Sequence, residues 1–125
     1  MSILRAKEHL RRWMRDGDVT EHEHSSATVE LAAQALGTEP GRIAKTLSFL
    51  NGERTILVVA AGDARVDNSQ FKKTFDVRKV KMVPAEEVEE RTGHAVGGVC
   101  PFGITNPDVT TYLDRSLQRF ETVYP

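Results

Sequence analysis

The sequence contains few of the residues and segments that mark specialised classes of protein. A single cysteine, Cys100, among 125 residues excludes an internal disulfide and a cysteine-based zinc site. No apolar run approaches the roughly 20 residues of a membrane span, and charges interrupt the N-terminal region where a signal peptide has its apolar core. The formal net charge of −1 gives no overall attraction to nucleic acid or to an anionic membrane. We therefore expect a cytoplasmic protein that makes no membrane contact.

Several catalytic templates are also missing. The sequence has no Gly-x-Ser-x-Gly elbow, no Walker loop and no dinucleotide fingerprint. Cys100 is a candidate nucleophile with His24 or His94 as its base, but its small apolar neighbours favour a buried structural thiol. His22 and His24 share one side of a predicted strand over residues 19–25, which is the spacing of a metal pair. No third ligand is evident, so a polar strand face is favoured over a metal site.

The residues that are present predict one globular α+β domain. Hydrophobic residues make up 39% and charged residues 28% of the chain, as is usual for a domain of this size. Helix and strand patterns interleave without a regular period, which predicts a mixed sheet. Helices are predicted over residues 3–16, 28–36, 68–75 and 85–92, and strands over residues 43–50, 55–61, 80–83, 110–114 and 121–124.

The segment Gly97-Gly98-Val99-Cys100-Pro101-Phe102-Gly103 combines three glycines and a proline with apolar side chains. Such a composition predicts a rigid, partly buried loop with exposed backbone N–H groups, which could hold an ester or carboxylate oxygen. A tight structural turn is the alternative, because most clusters of glycine and proline are turns.

Lys45 lies in a predicted strand and shares one face with Ile43, Leu47 and Phe49. An unpaired ammonium is costly to bury, so Lys45 either reaches solvent at the edge of the strand or points into a cleft that receives an anion. The pattern leaves both open. A lysine together with a backbone-rich loop suits an acyl-transfer site, and it equally suits non-catalytic capture of an anion.

Positive charge is concentrated in two segments despite the neutral total. The first helix has one stripe, and a second cluster surrounds the predicted helix at residues 68–75. Either could contact phosphates, although such stripes are usually solvated faces. The stripe comprises Arg5, Lys7, Arg11, Arg12 and Arg15, and the cluster comprises Lys72, Lys73, Arg78, Lys79 and Lys81.

Several motifs in order resemble the YbaK/EbsC family over about residues 19–125. They are Thr28-Val29-Glu30-x-Ala32-Ala33, Gly41-Arg42-Ile43-Ala44-Lys45-Thr46-Leu47, Gly62-Asp63, Glu87-Val88-x-x-x-Thr92-Gly93-His94-x-Val96-Gly97-Gly98-Val99-x-Pro101-Phe102-Gly103 and Leu113-Asp114-x-Ser116-Leu117-x-Arg119-Phe120. That family includes the editing domain inserted in bacterial prolyl-tRNA synthetases and free-standing relatives that hydrolyse mischarged aminoacyl-tRNA. Its members commonly continue beyond the position of Pro125, so a shortened or truncated member is expected.

The resemblance implies a fold and a set of site residues. The fold is a mixed, partly barrel-like sheet with surrounding helices, formed here by residues 1–125 as a single editing domain. Lys45 corresponds to the functional lysine of the family. The aminoacyl moiety is held by the loop Gly97, Gly98, Val99, Cys100 and Pro101, and further candidates for the pocket lining are Thr28, Ser48 and Asp114.

The resemblance also implies an activity. It is a trans-editing deacylase that hydrolyses the ester of Cys- or Ala-tRNA(Pro)-like substrates, with water or the substrate's own side chain as nucleophile. No metal or organic cofactor is implied. The partners are the acceptor end of aminoacyl-tRNA and, as a further candidate, a tRNA synthetase. The alternative is a non-catalytic module that binds aminoacyl-tRNA ends or nucleotides.

Overall fold

The computed structural model describes residues 3–20 and 28–125. Within these residues the chain forms four α-helices, a mixed sheet of three strands and three 3-10 helices, which confirms the predicted α+β class. The helices are α1 (Ile3–Arg11), α2 (Val29–Leu36), α3 (Asn68–Phe75) and α4 (Ala85–Thr92), and the strands are β1 (Ala44–Asn51), β2 (Arg54–Ala61) and β3 (Val109–Leu113). The 3-10 helices are Asp16–Asp18, Pro40–Arg42 and Arg115–Arg119.

The sheet has the order β1-β2-β3. β1 and β2 form an antiparallel hairpin that turns at Gly52, whose φ of 62° is readily adopted by glycine. β3 pairs with β2 in parallel. A parallel neighbour requires a long crossover, and residues 62–108, which contain α3 and α4, provide it.

The face of the sheet that packs on α3 contains one hydrophobic cluster. Phe49 and Ile56 face each other across the hairpin, and the ring centroid of Phe49 lies 4.7 Å from that of Phe71 on α3. Because side chains alternate along a strand, Lys45 and Leu47 share this face with Phe49. Lys45 is opposite Ala60 in the hairpin, at the end of the sheet away from the turn.

Helix boundaries follow the capping residues that the sequence indicates. The Thr28 hydroxyl accepts from the Leu31 N–H at 3.1 Å, and the Asp67 carboxylate accepts from the Gln70 N–H at 3.1 Å. Gly37 and Gly93 end α2 and α4 in the left-handed conformation. The predictions for α2, α3 and α4 are therefore confirmed in position as well as type.

One predicted boundary and two predicted strands are wrong. α1 ends at Arg11 instead of continuing to residue 16, because Met14 (φ 56°) takes the left-handed position and the Arg15 N–H bonds the Leu10 carbonyl, as in a Schellman motif. The strands predicted over residues 80–83 and 121–124 are only single bridges, Met82 to Phe49 and Tyr124 to Ile43. The strand predicted over residues 19–25 falls mostly outside the described residues.

Candidate functional site

Lys45 is held by a turn of the main chain that follows β2. Its ammonium donates to the carbonyl of Gly62 at 3.3 Å and also to the carbonyl of Ala64. The side chain is half-buried. Since an ammonium has three donors, two backbone bonds leave one for a ligand. The sequence left open whether Lys45 reaches solvent at the strand edge or points into a cleft. This geometry fits the second alternative, a fixed cation beside a cleft.

The turn at Gly62 depends on a close approach between two backbone segments. A Cβ atom at this position would lie 2.2 Å from the carbonyl oxygen of Pro40 and 2.6 Å from Cγ1 of Val29. Only glycine fits there without movement of the neighbouring backbone. Gly62 therefore allows the carbonyl that receives the Lys45 ammonium to sit against the start of α2.

An ion pair with the C-terminal 3-10 helix fixes the same turn from the other side. The Arg119 guanidinium donates to both carboxylate oxygens of Asp63, at 3.2 Å for Oδ2, and this hydrogen bond lowers the pKa of Asp63. The nearby positive charge of Lys45 lowers the pKa of Asp63 further. Arg42 and Arg119 each lie 4.9 Å from the ring centroid of Phe120, which orders both guanidinium groups.

Lys45 lines an open cavity of about 360 Å³ between the sheet and α3. Its floor is apolar and its rim is polar, so it suits a ligand with a small apolar group attached to a charged or hydrogen-bonding one. The floor includes Val58, Ala60, Phe71 and Phe75, and the rim includes Lys45, Arg65, Gln70, Thr74 and Asp114.

Asp114 is the second predicted site residue in this cavity. Its carboxylate accepts from the Ser116 N–H at 3.0 Å, and hydrogen bonds from Ser116 lower the pKa of Asp114. The Ser116 hydroxyl in turn accepts from the Ala61 N–H at 3.0 Å. Asp114 is thus an ionised carboxylate at neutral pH, positioned at the same end of the sheet as Lys45.

The glycine loop is ordered by turns and by contacts with α1. Gly97 and Gly103 have φ values of 84° and 70°, and the Gly103 N–H donates to Nδ1 of His9 at 3.0 Å. The Gly98 N–H donates to the Ala95 carbonyl at 3.0 Å, so this donor is already used within the loop. The N–H groups of Val99 and Cys100 bond no backbone carbonyl in the described part of the chain, which leaves them as the candidate donors.

None of the five loop residues, including Pro101, lines the cavity of Lys45. Their contacts run toward α1, where His9 also packs on Phe102 with 5.5 Å between ring centroids. The structure thus joins Lys45 with Asp114 in one cavity and leaves the predicted partnership of Lys45 with the loop as a prediction.

Cys100 and His94 form a buried neutral pair. Sγ of Cys100 lies 3.5 Å from Nε2 of His94, which lies 2.7 Å from the Phe102 carbonyl. A carbonyl only accepts, so Nε2 carries the proton and cannot receive one from the thiol. Burial raises the pKa of Cys100 and lowers the pKa of His94. These features identify a structural thiol and argue against Cys100 as a nucleophile.

Two other predicted lining residues lie outside the Lys45 cavity. Ser48 is buried and pairs with Leu57, which places it on the opposite face of β1 from Lys45. Thr28 caps α2 with its hydroxyl. Neither residue therefore lines the cavity that contains Lys45, and their roles in substrate binding stay predictions. His22 and His24 lie outside the described residues.

Sequence reasoning missed several cavity residues that are recognisable by spacing. Tyr112 lies two residues before Asp114 on β3, and its ring stacks edge-on against Phe75 with centroids 4.9 Å apart. Gln70 and Thr74 are four apart on α3 and so share a helix face. Arg65 follows the turn that holds Lys45 and adds a second cation to the rim.

In the ranges that the structure describes, no helix combines the length and the apolar character needed to cross a membrane.

Comparison with known proteins identifies the class of protein to which this site belongs. Residues 23–125 match the model of the aminoacyl-tRNA editing domain, and the chain belongs to this family. The match confirms the resemblance to YbaK/EbsC proteins that the motifs indicate.

Particular relatives share the sequence and the fold. YwhH of Bacillus subtilis is 52% identical over 126 residues, covering all of this chain and 79% of that protein. EbsC of Enterococcus faecalis, whose name proposes a Cys-tRNA(Pro)/Cys-tRNA(Cys) deacylase, is 33% identical over 81% of this chain and 60% of its own length. A crystal structure described as a proposed trans-editing enzyme for prolyl-tRNA synthetase superposes with a TM-score of 0.80 at 32% identity, covering 95% of this chain and 75% of that one.

Proposed function

We propose that this protein is a trans-editing deacylase that hydrolyses the aminoacyl ester of mischarged tRNA, with Cys- or Ala-tRNA(Pro)-like molecules as substrates. The observation that carries the proposal is the Lys45 ammonium, fixed by the Gly62 and Ala64 carbonyls at the rim of a cavity that also contains Asp114. Membership of the editing-domain family and the similarity to EbsC support the reaction class.

Lys45 acts by electrostatic stabilisation. A protonated lysine cannot accept a proton, so it does not serve as the general base. Its remaining N–H donor orients the ester or the terminal ribose and stabilises the oxyanion that forms when the carbonyl is attacked. The nucleophile is water or the side chain of the substrate itself.

The cavity sets the size of the amino acid. Its floor of Ala60, Val58 and the Phe71 ring accepts a small apolar side chain. The Phe75 and Tyr112 rings, in edge-on contact with each other, extend this apolar lining. A difference of one methylene is worth about 1–3 kcal/mol in such a pocket. We therefore expect alanyl and cysteinyl esters to react faster than larger ones.

The loop contributes the N–H groups of Val99 and Cys100 to the ester carbonyl. This role requires the substrate to contact both the Lys45 cavity and the loop. Amide chemical shifts recorded with a non-hydrolysable, amide-linked alanyl-adenosine test it. We expect ligand binding to change the amide chemical shifts of Val99 and Cys100 but not that of Gly98, whose N–H already donates to the Ala95 carbonyl. Unchanged shifts at Val99 and Cys100 in the presence of saturating ligand would remove the loop from the site.

A deacylation screen tests the function itself. Purified protein is incubated with alanyl-, cysteinyl-, seryl- and threonyl-tRNAs, and release of the labelled amino acid is followed over time. We expect release from the alanyl or cysteinyl tRNA. Binding of these tRNAs without release of any amino acid would contradict the proposal and favour a non-catalytic binding module.

A further inference from the structure

The densest positive charge of the chain lies around a groove at the opposite end of the hairpin from Lys45. Residues 68–83 contain five cations against the single carboxylate of Asp76, a net charge of +4 in a chain whose total is −1. Arg78, Lys79 and Lys81 line a groove of about 420 Å³ together with Leu50, Gly52 and Val77. Side chains of all three cations are exposed.

The groove is built on fixed backbone. The Leu50 N–H donates to the Lys81 carbonyl at 2.8 Å, and Met82 bridges to Phe49 of β1. The Val77 N–H donates to the Lys72 carbonyl at 3.1 Å, which ties the segment to the end of α3. The cations therefore project from a segment that is anchored at both ends, so their main chain needs little ordering when a ligand binds.

These cations differ from those of α1 in how they are paired. Arg11 lies 3.5 Å from the carboxylate of Asp16, and Arg15 pairs with Asp18. None of the five cations of residues 68–83 forms a salt bridge with a carboxylate in the described part of the chain. The α1 stripe is thus partly neutralised by its own acids, whereas the charge around the groove is available to an external anion.

The groove connects to the Lys45 cavity through α3. Gln70, Phe71 and Thr74 of this helix line the cavity, and Val77, two residues beyond its end, lines the groove. Lys72 and Lys73 are exposed on the same helix. Along β1, Lys45 and Leu50 are five residues apart, about 17 Å at the rise of a strand. A polyanion that occupies the cavity with one end can therefore pass over the groove.

We infer that the groove of Arg78, Lys79 and Lys81 binds the phosphates of the acceptor arm of tRNA while the aminoacyl end occupies the Lys45 cavity. This inference rests on the proposed function, because it is the tRNA substrate that supplies a polyanion joined to a small apolar group. Phosphate contacts of this kind fix register and add affinity without reading the base sequence.

The test measures the salt dependence of tRNA binding with matched variants. The groove variant combines Arg78→Gln, Lys79→Gln and Lys81→Gln, and the control combines Arg11→Gln, Arg12→Gln and Arg15→Gln, which removes the same charge from exposed positions of the α1 region. The dissociation constant for uncharged tRNA is measured by filter binding between 50 and 200 mM salt, about the range over which phosphate contacts change affinity strongly.

Each phosphate contact contributes about 0.7 to 0.9 to the slope of log K against log salt. For three lost contacts, we expect the slope of the groove variant to be shallower than that of the wild type by about 2 to 3, and the slope of the control to be unchanged. The inference would be overturned by equal slopes in all three proteins, by an equal reduction of the slope in both variants, or by a wild type that does not bind tRNA. An acidic protein as the true partner of the groove would give the first of these results.

The same variants separate this inference from the proposed function. In the deacylation assay we expect the groove variant to have a raised KM and an unchanged kcat. If the wild type binds tRNA with the expected salt dependence but releases no amino acid, the deacylase proposal is contradicted and the inference that the groove binds tRNA is retained. If the protein is active but the three groove substitutions change neither the slope nor KM, the inference that the groove binds tRNA is contradicted and the deacylase proposal is retained.

Discussion

Arg119 and Asp63 join the C-terminal 3-10 helix to the turn that receives the Lys45 ammonium. The guanidinium donates to both carboxylate oxygens, and Asp63 is flanked by Gly62 and Ala64, whose carbonyls accept from Lys45. The site is therefore organised by two segments that are 56 positions apart in the sequence. The position of the Lys45 ammonium therefore depends on a turn that Arg119 stabilises.

Arg119→Gln is expected to raise the pKa of Asp63 toward its ordinary value, because the hydrogen bond from Arg119 is the main cause of the lowered pKa. The carboxyl carbon shifts of Asp63 and Asp114, followed by NMR during an acid titration, measure the effect. Asp114 is the internal control, since its lowered pKa comes from Ser116. An unchanged Asp63 titration in the variant would show that the ion pair does not form in solution.

The lowered pKa of Asp63 also sets the sign of its pH effect. A carboxyl whose pKa is lower in the folded state binds its proton more weakly there than when unfolded, so its contribution to stability is present at neutral pH. That contribution is lost as the pH falls through the lowered pKa. We expect Arg119→Gln to reduce the difference between the free energy of unfolding at neutral pH and that at acidic pH.

Gly62→Ala is expected to destabilise the fold and reduce activity. The new methyl group would meet the Pro40 carbonyl, and relief of such a clash typically costs about 1–3 kcal/mol. Movement of the turn would also displace the carbonyl that accepts from Lys45. Urea denaturation measures the free energy of unfolding, and Gly17→Ala is the matched control, because no atom lies within 4 Å of a Cβ there. Equal stability of the two variants would contradict the tight approach at Gly62.

Cys100→Ala is expected to leave the turnover number close to that of the wild type. The thiol is buried, its pKa is raised, and Nε2 of the adjacent His94 donates to a carbonyl. In the native protein at neutral pH, Cys100 should react slowly with a thiol reagent and become reactive on denaturation. A folded Cys100→Ala protein whose turnover falls 100-fold would restore Cys100 as the nucleophile.

Buried His94 predicts a loss of stability in mild acid. Desolvation lowers the pKa of His94 in the folded state, so the unfolded chain takes up the proton first, at a pH of about 6.5. The free energy of unfolding should therefore decrease as the pH falls from about 6.5 toward the lowered pKa. Urea titrations at several pH values of the wild type and of His94→Gln measure the effect, and the variant should show a weaker dependence over this range. An identical dependence in both proteins would indicate that His94 is not buried as a neutral ring.

Local signals predicted most of the fold. Thr28, Asp67 and Gly93 mark helix ends through their own hydrogen-bonding and backbone properties, and the hairpin follows from two alternating runs around Gly52. Local signals failed where pairing depends on a distant partner. Met82 forms one bridge to Phe49 of β1, and Tyr124 forms one bridge to Ile43, the residue before β1. Pro84 lies two residues after Met82 and Pro125 directly after Tyr124, and a proline cannot donate to a further ladder hydrogen bond.

For the candidate site, too, local patterns were predictable from the sequence, whereas contacts between distant segments were not. Alternation places Lys45 on a defined face of β1, and Asp114 directly follows β3, but only the parallel pairing of β3 with β2 brings the two residues to one cavity. The position of Ser48 within a motif does not state which face of β1 it occupies, and only the register shows that it lies on the face opposite to Lys45. The end of α1 was misplaced because Met14 adopts a conformation that the sequence would assign to Gly17.

The most direct test is single-turnover deacylation of alanyl- and cysteinyl-tRNA by wild-type protein and by Lys45→Ala, with thermal unfolding recorded for both. Removal of one positioned donor to a developing oxyanion typically lowers the rate about 100- to 1000-fold. We expect a loss of this size in a variant that unfolds cooperatively and still binds tRNA. Full activity in folded Lys45→Ala would contradict the assignment of Lys45 as the catalytic residue.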